Sequence, residues 1–180
     1  MKRRELFQLG AAALALPAEG FSAAAQVAVK DPGWRPQLFD AHQNETVIAF
    51  TETLIPATDT PGAKAALVNR YLDLILAEAH ERNRVVFLDG IALIDAVAQR
   101  RGAPAGAAGR PFVKLSEAEQ IALLKDMESG GEGETAKAAI QFLKGWTARV
   151  YYSTEIGFKE LNKGGRVPAS YGCAHPEQHA

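Results

Sequence analysis

The stretch Glu134-Thr135-Ala136-Lys137-Ala138-Ala139-Ile140-Gln141-Phe142-Leu143-Lys144-Gly145-Trp146-Thr147-Ala148-Arg149-Val150-Tyr151-Tyr152-Ser153-Thr154-Glu155-Ile156 decides the fold. Ile140, Leu143, Trp146, Thr147, Val150 and Tyr151 recur at three- and four-residue spacings, so they form the inner stripe of one long helix. Gly157 sits near its end, where a helix commonly closes. A helix with one apolar stripe is stable only when that stripe is covered by other elements. Nowhere does the chain show sustained alternation of apolar and polar residues, which predicts an all-α domain without a sheet.

Upstream, Ser116 with Glu119 three residues later forms a capping box for a helix carrying Ile121, Leu123, Leu124 and Met127, and Gly130-Gly131 end it. Before it, Gly102-Ala103-Pro104-Ala105-Gly106-Ala107-Ala108-Gly109 reads as a flexible loop. Val85, Val86, Leu88, Ile91, Leu93, Ile94 and Val97 mark another helix, and Leu67, Tyr71, Leu74, Ile75 and Leu76 one before it. The periodicity leaves open whether a turn separates these two around His80 to Arg84. Thr60 is placed to cap the earlier one, with Pro61 at its first position. Val47, Ile48, Phe50, Thr51, Leu54 and Ile55 predict a helix over 41–55, capped by Asp40 and stopped by Pro56. The expectation is a single irregular bundle of about five helices over 38–161. An extended leader over 26–37, rich in Pro and Gly, precedes it, and an irregular tail over 162–180 follows.

The N-terminus reads differently. Arg3 and Arg4 stand directly before the short, Ala-rich run Ala11 to Ala18, with Leu6 and Phe7 after the pair and an A-x-A pattern at Ala23 and Ala25. The run falls short of the ~20 apolar residues of a membrane-spanning helix. It resembles a twin-arginine (Tat) signal peptide over residues 1–25, with Lys2 and Gln8 as departures from the usual pattern. An ordinary Sec signal that holds two arginines is the other reading. Removing residues 1–25 takes away three basic and two acidic side chains and moves the formal net charge from -1 to -2, which argues against a nucleic-acid partner.

Chemistry is sparse. No dinucleotide, P-loop, haem-attachment or zincin pattern occurs, so no catalytic, cofactor-binding or metal residue is assigned to this chain. Cys173, His175 and His179 form a terminal Cys-x-His-x3-His cluster, the basis of an alternative reading as an exported helical ligand- or metal-binding protein. A free-standing enzyme is a further class. His42 and His80 stand alone; Asp73 with Glu78 and Glu117 with Asp126 read as solvated faces. Glu155, among Tyr151, Tyr152 and Ile156, is expected to be partly buried against Arg149, Arg166 or a tyrosine hydroxyl. The lone Cys173 excludes an internal disulfide framework.

Three segments carry a family resemblance: Leu54-Ile55-Pro56-Ala57-Thr58-Asp59-Thr60-Pro61-Gly62-Ala63, Tyr151-Tyr152-Ser153-Thr154-Glu155-Ile156-Gly157 and Tyr171-Gly172-Cys173. Over about residues 38–173 the chain resembles the gluconate 2-dehydrogenase subunit 3 family. The tail departs from it, with Lys163-Gly164-Gly165-Arg166 and a His-containing end. The resemblance implies a non-catalytic partner of a large FAD-binding subunit of the glucose-methanol-choline type, which oxidises a sugar or sugar acid. It further implies haem c in a possible cytochrome c subunit, and Tat-borne export of the folded pair to the periplasm, at the outer face of the cytoplasmic membrane. Pro56, Thr58, Asp59, Pro61, Tyr151, Tyr152, Glu155 and Tyr171 are then the candidate partner interface, since aromatic side chains bury large area at low entropic cost. Cys173 is the candidate for a disulfide with the large subunit, a free thiol on the tail being the alternative.

Overall fold

A computed structural model describes residues 23–101 and 109–162. Its elements are α1 (Ala23–Lys30), α2 (Ala41–Leu54), α3 (Val68–Glu78), α4 (Glu81–Arg101), a 3-10 turn (Phe112–Lys114), α5 (Glu117–Ser129), α6 (Glu134–Ser153) and α7 (Glu155–Leu161). Among the described residues there is no strand. The bundle is all-α, with seven α-helices among the described residues in place of the expected five or so.

Helix α6 is the centre. Ala136, Ile140, Leu143, Trp146, Thr147, Val150 and Tyr151 are all buried along it, and α3, α4, α5 and α7 pack around it. Phe50, Leu72, Phe87, Ile91, Ile94, Phe112 and Met127 fill the same core from the other elements. Each large apolar side chain so buried contributes about 1.5 to 3 kcal/mol, which is why the stripe and not local propensity holds these helices. Asp40 caps α2 in a reciprocal box with Gln43, and Ser116 does the same for α5 with Glu119.

Three elements differ from the sequence reading. The leader is not extended throughout, because Ala23 to Lys30 contain no helix breaker and Val29 is buried against the body; the chain breaks only at Asp31-Pro32-Gly33. The second helix does not start at Thr60-Pro61. Ala63 N–H donates to the Ile55 carbonyl at 2.9 Å, which turns the chain back onto the end of α2, and α3 begins only after Leu67, held at φ +56°. The last helix stops at Ser153, because the Thr154 hydroxyl donates to the Tyr151 carbonyl at 2.6 Å and accepts from Gly157 N–H at 3.1 Å, capping α7. The α3 to α4 boundary falls at Ala79-His80.

Asp73 is also corrected. It is buried, 1 % exposed, and accepts hydrogen bonds from the backbone N–H groups of Gln37, Leu38 and Phe39 at 2.7 to 2.9 Å. This carboxylate seals the leader onto α3. Asp126 meets Arg101 in an ion pair, so it too is more than a solvated charge. His42 pairs with Asp95, whose other oxygen accepts from Phe112 N–H at 2.8 Å and fixes the 3-10 turn.

Candidate interaction site

The loop between α2 and α3 meets the α6 to α7 corner, and side chains tie the two together. Glu52 on the last turns of α2 accepts from Ala57 N–H at 3.1 Å and from Lys64 N–H at 2.7 Å, so one carboxylate spans the mouth of the loop. Gly62 packs against that bridge. A Cβ there would lie 2.5 Å from Ala57 N and 2.6 Å from the Glu52 carboxylate, so only glycine fits.

Tyr151 reaches the loop from α6. Its hydroxyl lies 2.8 Å from the Pro61 carbonyl and 2.6 Å from Glu160 Oε2, donating its single proton between the two acceptors. Burial, and then the Glu160 carboxylate beside it, push the Tyr151 phenol well above the usual tyrosine range. It stays neutral and a donor. The Thr60 hydroxyl lies 3.5 Å from Glu160 Oε1, so α7 holds the loop from a second direction. Gly157 makes the corner possible, because a Cβ on it would sit 2.1 Å from the Tyr151 carbonyl. In Tyr151 to Gly157, then, Tyr151 ties the loop, Thr154 caps and Gly157 permits close approach.

What this corner presents outward is apolar. Tyr152, Phe158 and Leu161 are 39 %, 45 % and 47 % exposed, three of the five large apolar side chains left open among the described residues. The Tyr152 ring stands edge-on to Tyr151 at 5.2 Å. Pro56, Thr58, Asp59 and Pro61 are exposed on the loop. Beside it runs a groove of about 600 Å³, lined among others by Ile48, Ala49 and Glu52 of α2, Pro56 and Ala57 of the loop, and Val113.

The structure thus brings Pro61, Tyr151, Tyr152 and the loop together, and it revises two candidates. Tyr151 is fully buried, so it supports the corner from within and is not an exposed anchor. Glu155 is exposed, pairing with Lys159 at 2.7 Å and Lys30 at 3.3 Å; these bonds, Lys159 first, hold its carboxyl below the usual range. Sequence reasoning missed Glu52, Gly62, Phe158 and Glu160. The Phe158 to Leu161 spacing was a readable signal, but Glu52 becomes visible only once the loop folds back. Arg3, Arg4, Tyr171, Cys173, His175, His179 and the loop over 102–108 lie outside the described residues. Among the described residues no group of three or more His, Cys, Asp or Glu side chains is placed to hold a metal, and no helix is long and apolar enough to cross a membrane.

No curated protein sequence and no solved structure matches the chain. The family model for gluconate 2-dehydrogenase subunit 3 matches residues 41–165, well over half of the 180 residues and spanning both the α2 to α3 loop and the α6 to α7 corner. The chain belongs to the gluconate 2-dehydrogenase subunit 3 family.

Proposed function

We propose that this chain is the non-catalytic small subunit of an FAD-dependent sugar or sugar-acid dehydrogenase, and that it carries the folded flavoprotein subunit out by the Tat route and stabilises it. Membership of the family implies a complex with a catalytic dehydrogenase subunit. The observation that carries the reading is the corner itself, where Tyr152, Phe158 and Leu161 stay exposed beside a loop that Glu52, Tyr151 and Glu160 hold in one shape. Exposed apolar groups on a preorganised frame lower the ordering cost of association. The large subunit would seat on this corner, with Tyr171 adding to it and Cys173 linking the chains covalently. A haem c subunit would take the electrons at the outer face of the cytoplasmic membrane.

Coexpression with the large chain tests this. Replacing Arg3 and Arg4 by Lys should leave both chains in the cytoplasm, and Tyr152→Ala should lower the yield of flavin-loaded complex at least several-fold. Export of the large chain despite the arginine change, or an unchanged yield with Tyr152→Ala, would remove the carrier role or the placement respectively. On a non-reducing gel of the alkylated complex, one band that reduction splits in two is expected; Cys173 recovered alkylated would exclude the link.

A further inference from the structure

Helix α1 contains the bond at which the sequence offers a processing site. Ala23 and Ala25 supply the A-x-A pattern, and the bond from Ala25 to Gln26 lies inside α1 (Ala23–Lys30). Processing there adds water across that bond, leaving a carboxylate on Ala25 and an amine on Gln26. Peptide-binding clefts of this kind take an extended strand whose backbone groups pair with the enzyme. A helix advances ~1.5 Å per residue against ~3.3 Å for a strand, so this segment must unwind before it can enter one.

An isolated helix of this length would unwind readily in water. This one is held. Val29 is 1 % exposed. Arg70 of α3 donates to the Val29 carbonyl at 2.7 Å and the Asp31 carbonyl at 3.0 Å, and its guanidinium lies 4.9 Å from the centre of the Trp34 ring. Lys30 meets Glu155 of α7 at 3.3 Å. Beyond the break, Asp73 holds the amides of Gln37, Leu38 and Phe39. The end of α1 and the segment after it are therefore fastened to the bundle by Arg70 and Asp73 of α3 and by Glu155 of α7.

We propose that docking of α1 on α3 and α7 protects the Ala25 to Gln26 bond, so that the chain keeps its N-terminal segment for as long as α1 stays docked. The inference rests on reading residues 1–25 as an export signal. Cleavage then proceeds at a rate set by the small fraction of time α1 spends open. The export segment of the folded subunit is retained by tertiary structure, although its sequence offers the cut.

The test uses the purified full chain and purified signal peptidase in detergent micelles, with intact mass followed over time. Ala28→Pro breaks α1 at an exposed position and leaves Arg70 and Asp73 in place; Arg70→Ala loosens the helix end by a second route. A cooperative melt close to that of the unaltered chain shows that the bundle is intact in each. Both variants should be cut to a chain beginning at Gln26 at least tenfold faster than the unaltered protein. Equal rates in all three would overturn the proposal, and so would resistance in all three, since no cleavable bond would then be there to protect. Localisation in a Tat-competent host reads the export signal separately: cytoplasmic retention together with a tenfold difference in the test tube would sink the export reading and leave the protection standing.

Discussion

Asp73 and Glu52 do the same chemistry in two regions of this molecule. Each is a carboxylate on a helix that accepts from backbone amides elsewhere in the chain, Asp73 from three and Glu52 from two. Asp73 is sealed under the segment it holds, and the result is a closed surface with Phe39 stacked on Phe87 beneath it. Glu52 stays half-buried at the rim, and the loop it bridges stays outside with Pro56, Thr58 and Asp59 exposed. Burial separates a clamp that completes the core from one that holds a surface in shape for something else. The first should matter most to stability and the second most to association.

The comparison breaks if Asp73 is dispensable. Asp73→Ala strands three amides, two of them only partly open to water, and should lower the unfolding free energy by about 4 kcal/mol in urea titration. Asp73→Asn keeps the oxygen that Leu38 and Phe39 share and loses the charge, so about half that loss is expected. A smaller effect belongs to the corner. Gly157→Ala drives a methyl into the Tyr151 carbonyl and should cost about 2 to 3 kcal/mol, with loss of partner binding on top.

Glu52→Gln should cost only about 1 kcal/mol, because one side-chain carbonyl still accepts while the other bond is lost. Its larger consequence should appear in the yield of the dehydrogenase complex; if stability fell as far as with Asp73→Ala, the two clamps would not differ in kind. A control remote from both should cost as little in stability and leave the complex yield unchanged. Ser116 caps α5, and Ser116→Ala should cost about 1 kcal/mol at neutral pH. The backbone amide and hydroxyl of Ser116, and then Arg110, hold the Glu119 carboxyl down at about 2, against an ordinary 4.5. Such a depressed group stabilises the fold above its unfolded value, and the contribution is lost as pH falls toward the folded one. The deficit of Ser116→Ala should therefore be full above pH 5 and shrink between about 4.5 and 2, read from unfolding midpoints across that range.

Much of this was readable from local pattern. Helix α2 with its Asp40 cap, the Ser116 box and the stripe of α6 follow from side-chain spacing over a few turns, where neighbours in sequence are neighbours in space. The misreadings fall where a distant group competes with that pattern. Pro61 is a good first residue for a helix, yet the bonds from Ala63 N–H to the Ile55 carbonyl and from the Tyr151 hydroxyl, 90 positions away, to the Pro61 carbonyl claim it for a turn. Tyr151 and Tyr152 are identical in the sequence. Only the 100° between them on α6 sends one to the core and leaves the other open.

By itself the sequence determined the all-α class, the central helix, the caps at Asp40 and Ser116 and the family, because each depends on residue type at short spacing or on motifs in order. Tertiary structure alone decided that Asp73 is a buried clamp, that Glu52 and Glu160 hold the α2 to α3 loop, and that Arg70 fastens the end of α1 to α3. The physical reason is the same in each case. A carboxylate or a guanidinium finds its partner amide or carbonyl by position in space, and nothing in the residues between them records which one it will be.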